Sequence, residues 1–340
     1  MKIAFAYQWN ASNARALERE LAHMREGGMD ITGFDLSPLL GYKFSVSDLD
    51  FQYCLRNAQV MAGLARLREA TAGFQMIVIY GSLQIPPDFI RQHWSKCFVI
   101  YWATDDPVNS TVATLPYVGV ANHVFSQTPR YMDSMPMPQW LLAMGARSAS
   151  YMPAGYFEDW KRGRSNDDIL AHPKDIDISF VGSPSWRKDM LLQAKKAFGR
   201  RLKIFSRDWS PWRHFAYDAL KKGVVHVVSR AEDESQVYFR SRLSINSNAC
   251  SGPSTSRTFH IPICGALQLC DFPDGLAQIF KLHQHVIPYE FINADSLCNA
   301  IDTALANPAL MEEQRVAGFW HVQKNYRFAD LLSRRLLELA

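Results

Sequence analysis

The pattern that most limits the fold of this chain is a series of short apolar segments separated by helical stretches, and the series occurs twice. In the first half, apolar segments of strand length lie at 3–7, 30–35, 76–80, 97–102 and 120–126. The series restarts in the second half, with segments at 177–182, 202–205, 224–228, 243–246 and 266–270. Continuous apolar segments are typical of strands buried on both faces, and their alternation with helices predicts parallel α/β sheets.

The polar segment 158–175 separates the two series and is predicted to be a linker. A chain of 340 residues is long enough for two domains. We therefore predict an amino-terminal α/β domain at 1–157, a second α/β domain at 176–326 and a final helix at 327–340. Sheets of this type bind ligands at the carboxyl ends of their strands.

The composition excludes several classes of protein. With 48% hydrophobic and 21% charged residues, the chain is expected to fold and not to be disordered. Its longest apolar runs are far shorter than a membrane span, and its start lacks a secretion signal, so a cytoplasmic protein is expected. The net charge of +4 suits phosphate-bearing ligands without requiring nucleic acid. The six cysteines lack Cys-x-x-Cys spacing, and no metal site is predicted.

The first segment suited to a phosphate runs from residue 178 to residue 187, where a predicted strand ends in Gly182-Ser183 and a helix follows. Glycine lets a ligand approach the backbone, and the N–H groups at the start of a helix suit a phosphate. Arg187 adds a guanidinium that can bind a phosphate through two hydrogen bonds. Most turns of this kind are structural, so this segment alone leaves both interpretations open.

The second segment runs from residue 251 to residue 266 and is rich in small hydroxyl residues, including Ser254 and Thr255. It leads into a short helix that carries Arg257 and His260. Hydroxyl groups, backbone N–H groups and an arginine together suit a diphosphate, and a histidine can bond a ribose hydroxyl. The segment thus predicts a diphosphate site but does not name a reaction.

Residues 254–339 resemble the carboxy-terminal glycosyltransferase module of the spore-maturation (CgeB-like) family. That family shows an Arg-x-Phe-Glu-x-x-x-Cys-Gly core, an apolar strand and an acidic residue. This chain has Arg-Thr-Phe-His-Ile-Pro-Ile-Cys-Gly at 257–265 and Asp271 after the next strand. Further matches to the family lie at Asn307-Pro308, Arg315-x-x-Gly318, Tyr326-Arg327-Phe328, 180–187 and 101–107.

The resemblance implies a GT-B fold, in which two Rossmann-like domains face a cleft and the last helix crosses back to the first domain. It implies a nucleotide-diphosphate sugar as co-substrate in the second domain, an acceptor against the first domain, and no bound metal or other cofactor. Arg207 follows the strand 202–205, at a place where GT-B enzymes contact the nucleotide, and is assigned to the donor, with a structural role as the alternative.

The chain departs from the family at one position that matters for donor binding. Related retaining GT-B enzymes have a glutamate where this chain has His260, and many have a second glutamate where this chain has Gly252. A neutral histidine can bond one hydroxyl but lacks the two acceptor oxygens of a carboxylate. The departure leaves three alternatives open: altered donor binding, weaker donor binding, or a chain without activity.

The first domain is expected to supply the acceptor side of the site. Asp105 and Asp106 are predicted to act as a general base or to orient the acceptor hydroxyl, with a helix cap and turn as the alternative. Aromatic rings that suit a sugar face are predicted at Tyr7, Trp9 and Trp102, with a structural surface or core aromatic residue as the alternative.

The sequence therefore predicts a metal-independent, retaining glycosyltransferase whose acceptor is a glycan, a protein or a modified DNA base. Within this reading, Asp105, Asp106 and Arg257 are the predicted catalytic residues. The alternative is a catalytically silent relative that binds a nucleotide or a glycan as a partner subunit. Neither the sugar nor the oligomeric state is predicted.

Overall fold

The computed structural model describes residues 1–340 except 9–10, 82–83, 105–106, 108–109, 132–134, 184, 207–224, 227–230 and 249–254. The chain divides into two units, which we call unit 1 (residues 1–157 and 328–340) and unit 2 (residues 158–327). Each unit contains a six-stranded sheet in which neighbouring strands are parallel. The predicted α/β class with two parallel sheets is confirmed.

The sheet of unit 1 has the strand order β2-β1-β3-β4-β5-β8, and β6 pairs with β7 in a separate antiparallel ladder. The strands are β1 Ile3–Tyr7, β2 Ile31–Asp35, β3 Met76–Tyr80, β4 Phe98–Ala103, β5 His123–Ser126, β6 Arg130–Tyr131, β7 Met135–Pro136 and β8 Ala149–Tyr151. The helices that precede residue 158 are α1 Ala11–Glu26, α2 Leu36–Leu40, α3 Val46–Cys54, α4 Ala58–Ala70, α5 Pro87–His93, α6 Ser110–Ala113, α7 Leu115–Val118 and α8 Met137–Ala143.

Two central strands show why the apolar segments of unit 1 are continuous. Every residue of β1 and of β3 is buried. A parallel sheet covered on both faces leaves no solvent side on which polar residues would alternate with apolar ones.

The sheet of unit 2 has the strand order β11-β10-β9-β12-β13-β14. Its strands are β9 Ile176–Val181, β10 Leu202–Phe205, β11 Val225–His226, β12 Ser241–Asn246, β13 Leu267–Cys270 and β14 Ile287–Pro288. Its helices are α9 Asn166–Ala171, α10 Lys188–Phe198, α11 Ala231–Arg240, α12 Arg257–Ile263, α13 Pro273–Leu276, α14 Ala294–Ala306 and α15 Pro308–Asn325. The segment 158–175, predicted as a linker, contains a 3-10 helix at Glu158–Lys161 and helix α9, and it belongs to unit 2.

The strand order of unit 2 reverses between β9 and β12. From β9 the chain builds outward through β10 to β11, and it then returns to the other side of β9 to build β12, β13 and β14. The connections after β9 and β12 therefore leave the sheet in opposite directions and open a crevice at the carboxyl ends of these two strands. In open α/β sheets such a switch point is where ligands bind.

The final helix, α16 Phe328–Leu339, belongs to unit 1. Phe328 is fully buried, and its ring stacks on Trp102 with the ring centroids 5.5 Å apart and the planes within 3°. The backbone N–H of Phe328 donates to the carbonyl of Tyr156 at 2.9 Å, and that of Ala329 donates to the Glu20 carboxylate at 3.3 Å. Apolar packing and backbone hydrogen bonds thus hold α16 in unit 1.

Candidate functional site

The two segments suited to a phosphate meet at the switch point of unit 2. Gly182 follows β9 with a φ of 147°, a conformation that favours glycine. A Cβ atom at Gly182 would lie only 3.1 Å from Nη2 of Arg257, the first residue of α12. The Arg257 guanidinium therefore lies directly against the glycine backbone. Its Nε atom is buried and makes no hydrogen bond with any described residue.

Arg187 lies beside this pair and joins the loops that follow β9 and β12. Nε and Nη2 donate to the carbonyl of Ser247 at 3.0 and 2.6 Å, and Nη1 donates to the carbonyl of Ser183 at 3.1 Å. These bonds use three of the five guanidinium N–H groups. The Nε and Nη2 edge of the guanidinium, which is the edge expected to bind a phosphate, thus donates to the carbonyl of Ser247. Direct binding of a phosphate by Arg187 stays a prediction.

The two arginines of this site lie close enough to influence each other. Burial, and secondly the Arg257 cation, lower the pKa of Arg187 to about 10, while Asp271 opposes that shift. Arg187 is 6% exposed, so its charge is poorly screened by water. The two like charges repel each other, and the Asp271 carboxylate near Arg187 offsets only part of their positive charge. The electrostatics of this crevice therefore favour an anionic ligand.

A buried carboxylate, Asp271, holds the loop after β12 and was assigned no role from the sequence. It follows β13, is 0% exposed, and accepts hydrogen bonds from the backbone N–H of Asn248 at 3.0 Å, from Asn248 Nδ2 at 2.7 Å and from Ser247 Oγ at 2.9 Å. Burial raises its pKa to about 6, although these bonds and Arg187 act in the opposite direction. The polar run Asn246-Ser247-Asn248 at the end of an apolar strand is the sequence pattern that could have indicated a buried polar partner such as Asp271.

His260 lies three residues after Arg257 on α12 and is 6% exposed. Its ring stacks on Trp160 with the centroids 3.7 Å apart. Burial, and secondly the Arg257 cation, hold the pKa of His260 well below its usual value, so the ring is neutral at pH 7. A neutral imidazole has one N–H donor and one acceptor nitrogen, which suits a hydroxyl group.

Thr255 completes the described part of this crevice. Its hydroxyl donates to Asn248 Oδ1 at 3.4 Å, so the residues on the two sides of 249–254 are in contact. The structure thus brings together the predicted donor residues of unit 2 that it describes, which are Gly182, Ser183, Arg187, Thr255, Arg257 and His260.

The structure does not bring Trp102 to a surface, which corrects the prediction that it contacts an acceptor. Trp102 is 0% exposed in β4 and packs edge-on against Tyr80, besides stacking on Phe328. A fully buried indole offers no face to a sugar, so Trp102 belongs to the core of unit 1. Tyr7 is 4% exposed at the end of β1, and its hydroxyl donates to Glu18 at 2.9 Å.

Five predicted site residues lie outside the described residues: Trp9, Asp105, Asp106, Arg207 and Ser254. In the part of the chain that the structure describes, no three His, Cys, Asp or Glu side chains form a group suited to a metal ion. Cys54, Cys97, Cys264, Cys270 and Cys298 are unpaired. No helix among the described residues combines the length and apolar character needed to cross a membrane.

Residues 187–336 match the family described as Glycosyl transferase-like. No curated protein matches the chain in sequence. The fold is similar to that of sucrose-phosphate synthase from Thermosynechococcus elongatus, with a TM-score of 0.71 and 13% identity over 100% of both chains. It is also similar to HepE from Anabaena in complex with UDP and glucose, with a TM-score of 0.65 and 11% identity over 100% of this chain and 99% of that one. A glycosyltransferase from Rickettsia africae ESF-5 has a TM-score of 0.64 and 12% identity over 99% and 97%. These similarities establish the fold, which is the two-domain fold of these structures.

Proposed function

We propose that this chain is a GT-B glycosyltransferase that transfers a sugar from a nucleoside diphosphate donor to a hydroxyl acceptor. The match of residues 187–336 to the Glycosyl transferase-like family and the similarity of the fold to sucrose-phosphate synthase and HepE support this proposal. The observation that carries the proposal is the contact of the Arg257 guanidinium with Gly182 at the switch point of unit 2. HepE, which shares the fold, has been solved with UDP and with UDP-glucose. A donor of this class suits a crevice that holds two neighbouring cations.

In this proposal unit 2 binds the donor. The open backbone at Gly182 and Ser183 approaches the diphosphate, and Arg257 donates charge-assisted hydrogen bonds to it. Arg187 adds positive charge and fixes the loops on either side. Ser254 and Thr255 offer hydroxyl groups to the phosphates.

The chemistry of this donor requires that negative charge on the departing diphosphate be stabilised as the glycosidic bond breaks. Cations fixed in place before the reaction do this without reorganising water. Arg187 is held by the backbone carbonyls of Ser247 and Ser183, and Arg257 lies buried against Gly182, so both charges are in position in advance. We propose that they take the role that a divalent cation has in other sugar transferases.

Activity is accordingly expected to be independent of added metal ions. Turnover of the donor in excess chelator should equal turnover with added magnesium, because the two guanidinium groups already neutralise the diphosphate. The measurement is product formation in both conditions, with chelator-treated protein repleted with magnesium as the control. Complete loss of turnover in chelator, restored by magnesium, would overturn the metal-independent mechanism.

Unit 1 is proposed to contact the acceptor, which is a glycan, a protein or a modified DNA base. Asp105 or Asp106 would orient the acceptor hydroxyl or accept its proton. We further propose retention of configuration at the transferred sugar and membership in the CgeB-like branch of these enzymes. The residues that support this branch are those at 257–271 and at 326–328.

His260 is proposed to contact the ribose of the donor, where related retaining enzymes carry glutamate. We expect His260→Glu to keep or improve donor affinity, because a carboxylate accepts from two hydroxyls and would lie beside the Arg257 cation. His260→Ala should weaken binding by about fivefold, the value of one neutral hydrogen bond near 1 kcal/mol. Calorimetric titration of the donor measures both variants. A fall in affinity for His260→Glu would instead indicate that histidine donates a hydrogen bond that glutamate cannot make.

His260, which stands where related enzymes have glutamate, also favours a second candidate function. In this function the chain is a catalytically silent relative that binds a nucleotide or a glycan as a partner subunit. A thermal-shift panel of nucleotides and nucleotide sugars, followed by assays of donor hydrolysis and transfer, separates the two candidates. Stabilisation by a nucleoside diphosphate together with slow hydrolysis of its sugar supports the transferase. Stabilisation without hydrolysis, and without transfer to any acceptor tested, supports the silent relative.

A further inference from the structure

The segment Ser247–Asn248, directly after β12, is held from two sides by buried groups of opposite charge. Arg187 donates two hydrogen bonds to the carbonyl of Ser247. Asp271 accepts from the Ser247 hydroxyl and from both the backbone and the side chain of Asn248. Both charged side chains are at least nine-tenths buried, and Asp271 is fully buried.

This segment in turn contacts the part of the chain that carries Arg257. The Thr255 hydroxyl donates to Asn248 Oδ1 at 3.4 Å. One residue after Arg257, the Thr258 hydroxyl accepts from Asn246 Nδ2 at 3.1 Å. Residues on both sides of Arg257 therefore bond to 246–248. The position of the guanidinium depends on the position of that segment.

We propose that Asp271 is a positioning residue for the donor site, and that its ionised carboxylate fixes Ser247 and Asn248 so that Arg257 is held at the diphosphate. The inference rests on the proposed function, because it concerns binding of the donor. Asp271 itself does not touch the donor. It acts through Asn248 and Thr255.

The carboxylate form of Asp271 is what makes this arrangement possible. An ionised carboxylate only accepts hydrogen bonds, whereas a protonated one places an O–H where a donor already points. The ionisable groups that face Asp271 are Arg187, Tyr289 and Cys270. Arg187 keeps its charge up to a pKa of about 10, and burial raises the pKa values of Tyr289 and Cys270. Asp271, with a pKa of about 6, is the member of this group that titrates between pH 5 and 8.

Two opposite pH effects follow from this titration. The pKa of Asp271 in the folded chain lies above the ordinary value of 3.8. Between about pH 4 and 6 the folded chain therefore binds more protons than the unfolded chain, and its contribution to the free energy of unfolding falls as the pH rises. Donor affinity should change in the other direction, because the carboxylate that positions Asn248 forms as the pH rises through 6.

The experiment is a titration of the full chain with an intact nucleoside diphosphate sugar between pH 5 and 8. The sugar ester is preferred to a free nucleoside diphosphate, whose terminal phosphate itself titrates near pH 6. We expect the wild-type Kd to rise about tenfold as the pH falls from 7.5 to 5, the equivalent of one charge-assisted hydrogen bond. Asp271→Asn should bind weakly at both ends of the range, with no step near pH 6. Asp274→Asn, an exposed neighbour, should behave like the wild type.

Each outcome decides between the inference and the function on which it rests. A wild-type step near pH 6 that Asp271→Asn removes supports the inference. Donor binding with the same pH profile in both proteins overturns the inference and leaves the proposed function intact. Absence of binding of any nucleotide sugar by the wild type overturns the proposed function.

If Asp271→Asn does not fold, an NMR measurement on the wild type alone tests whether Asp271 positions Asn248. The amide proton of Asn248, followed by NMR in the same pH range, should shift with the midpoint that the Kd shows. Different midpoints would overturn the inference.

Discussion

Arg257→Ala is expected to weaken binding of a nucleoside diphosphate sugar by about 10- to 150-fold, since a hydrogen bond to a charged group is worth about 1.5–3 kcal/mol. The expectation rests on the guanidinium lying against Gly182, where the backbone is open to a ligand. Turnover should fall further than affinity, because the negative charge on the diphosphate grows as the glycosidic bond breaks. Calorimetric titration and initial-rate measurements at saturating donor separate the two effects.

A matched control is Arg200→Ala, which removes an exposed arginine from the opposite, amino-terminal edge of the same sheet. This variant should bind and turn over the donor like the wild type, which shows that the effect of Arg257→Ala does not come from net charge alone. Unchanged donor affinity and turnover in Arg257→Ala would mean that the diphosphate is not bound at this crevice. That result would favour the silent relative.

The α/β fold could be predicted from the sequence because apolar segments of strand length are a local pattern and recur along the chain. Segments such as 76–80 and 177–182 are apolar along their length, and the structure places β3 and β9 there. Burial on both faces of a parallel sheet produces such segments independently of the details of packing. Polar composition alone did not predict the structure of the segment 158–175, which forms a 3-10 helix and α9 although it was expected to be a linker.

Only part of the candidate site could be predicted from the sequence. The Gly182 turn and the Arg257 helix have recognisable local patterns, but their contact depends on the strand order around β9, which no local pattern gives. Asp271 is a single acidic residue after a strand, and only the packed structure reveals that it is buried and bonded to Asn248. Arg187 was recognised as a cation, but the carbonyl of Ser247 that occupies it lies 60 residues away in sequence.

Trp102 was misassigned for a related physical reason. In a strand of a two-sided sheet both faces are buried, so an aromatic residue near the end of the strand can face either a covering helix or a ligand. The family resemblance implied that the last helix returns to the first domain, but no pattern in the sequence reveals that this helix places Phe328 on the indole. The resemblance of 101–107 to a family segment carried no information about which residues of that segment are exposed.

Trp102→Ala is therefore expected to lower the free energy of unfolding of unit 1 by about 3–5 kcal/mol, the usual cost of truncating a fully buried aromatic residue. The loss combines the removed apolar surface, the cavity, and the stacking on Phe328 that holds α16. Denaturant unfolding measures the change, and hydrogen exchange locates it in unit 1. Phe51→Ala, which truncates a 60% exposed aromatic side chain of the same unit, is the matched control and should change stability little. Trp102→Phe should recover part of the loss by refilling the space beside Phe328. Wild-type stability in Trp102→Ala, combined with a defect confined to use of the acceptor, would contradict the core assignment and return this residue to the acceptor side.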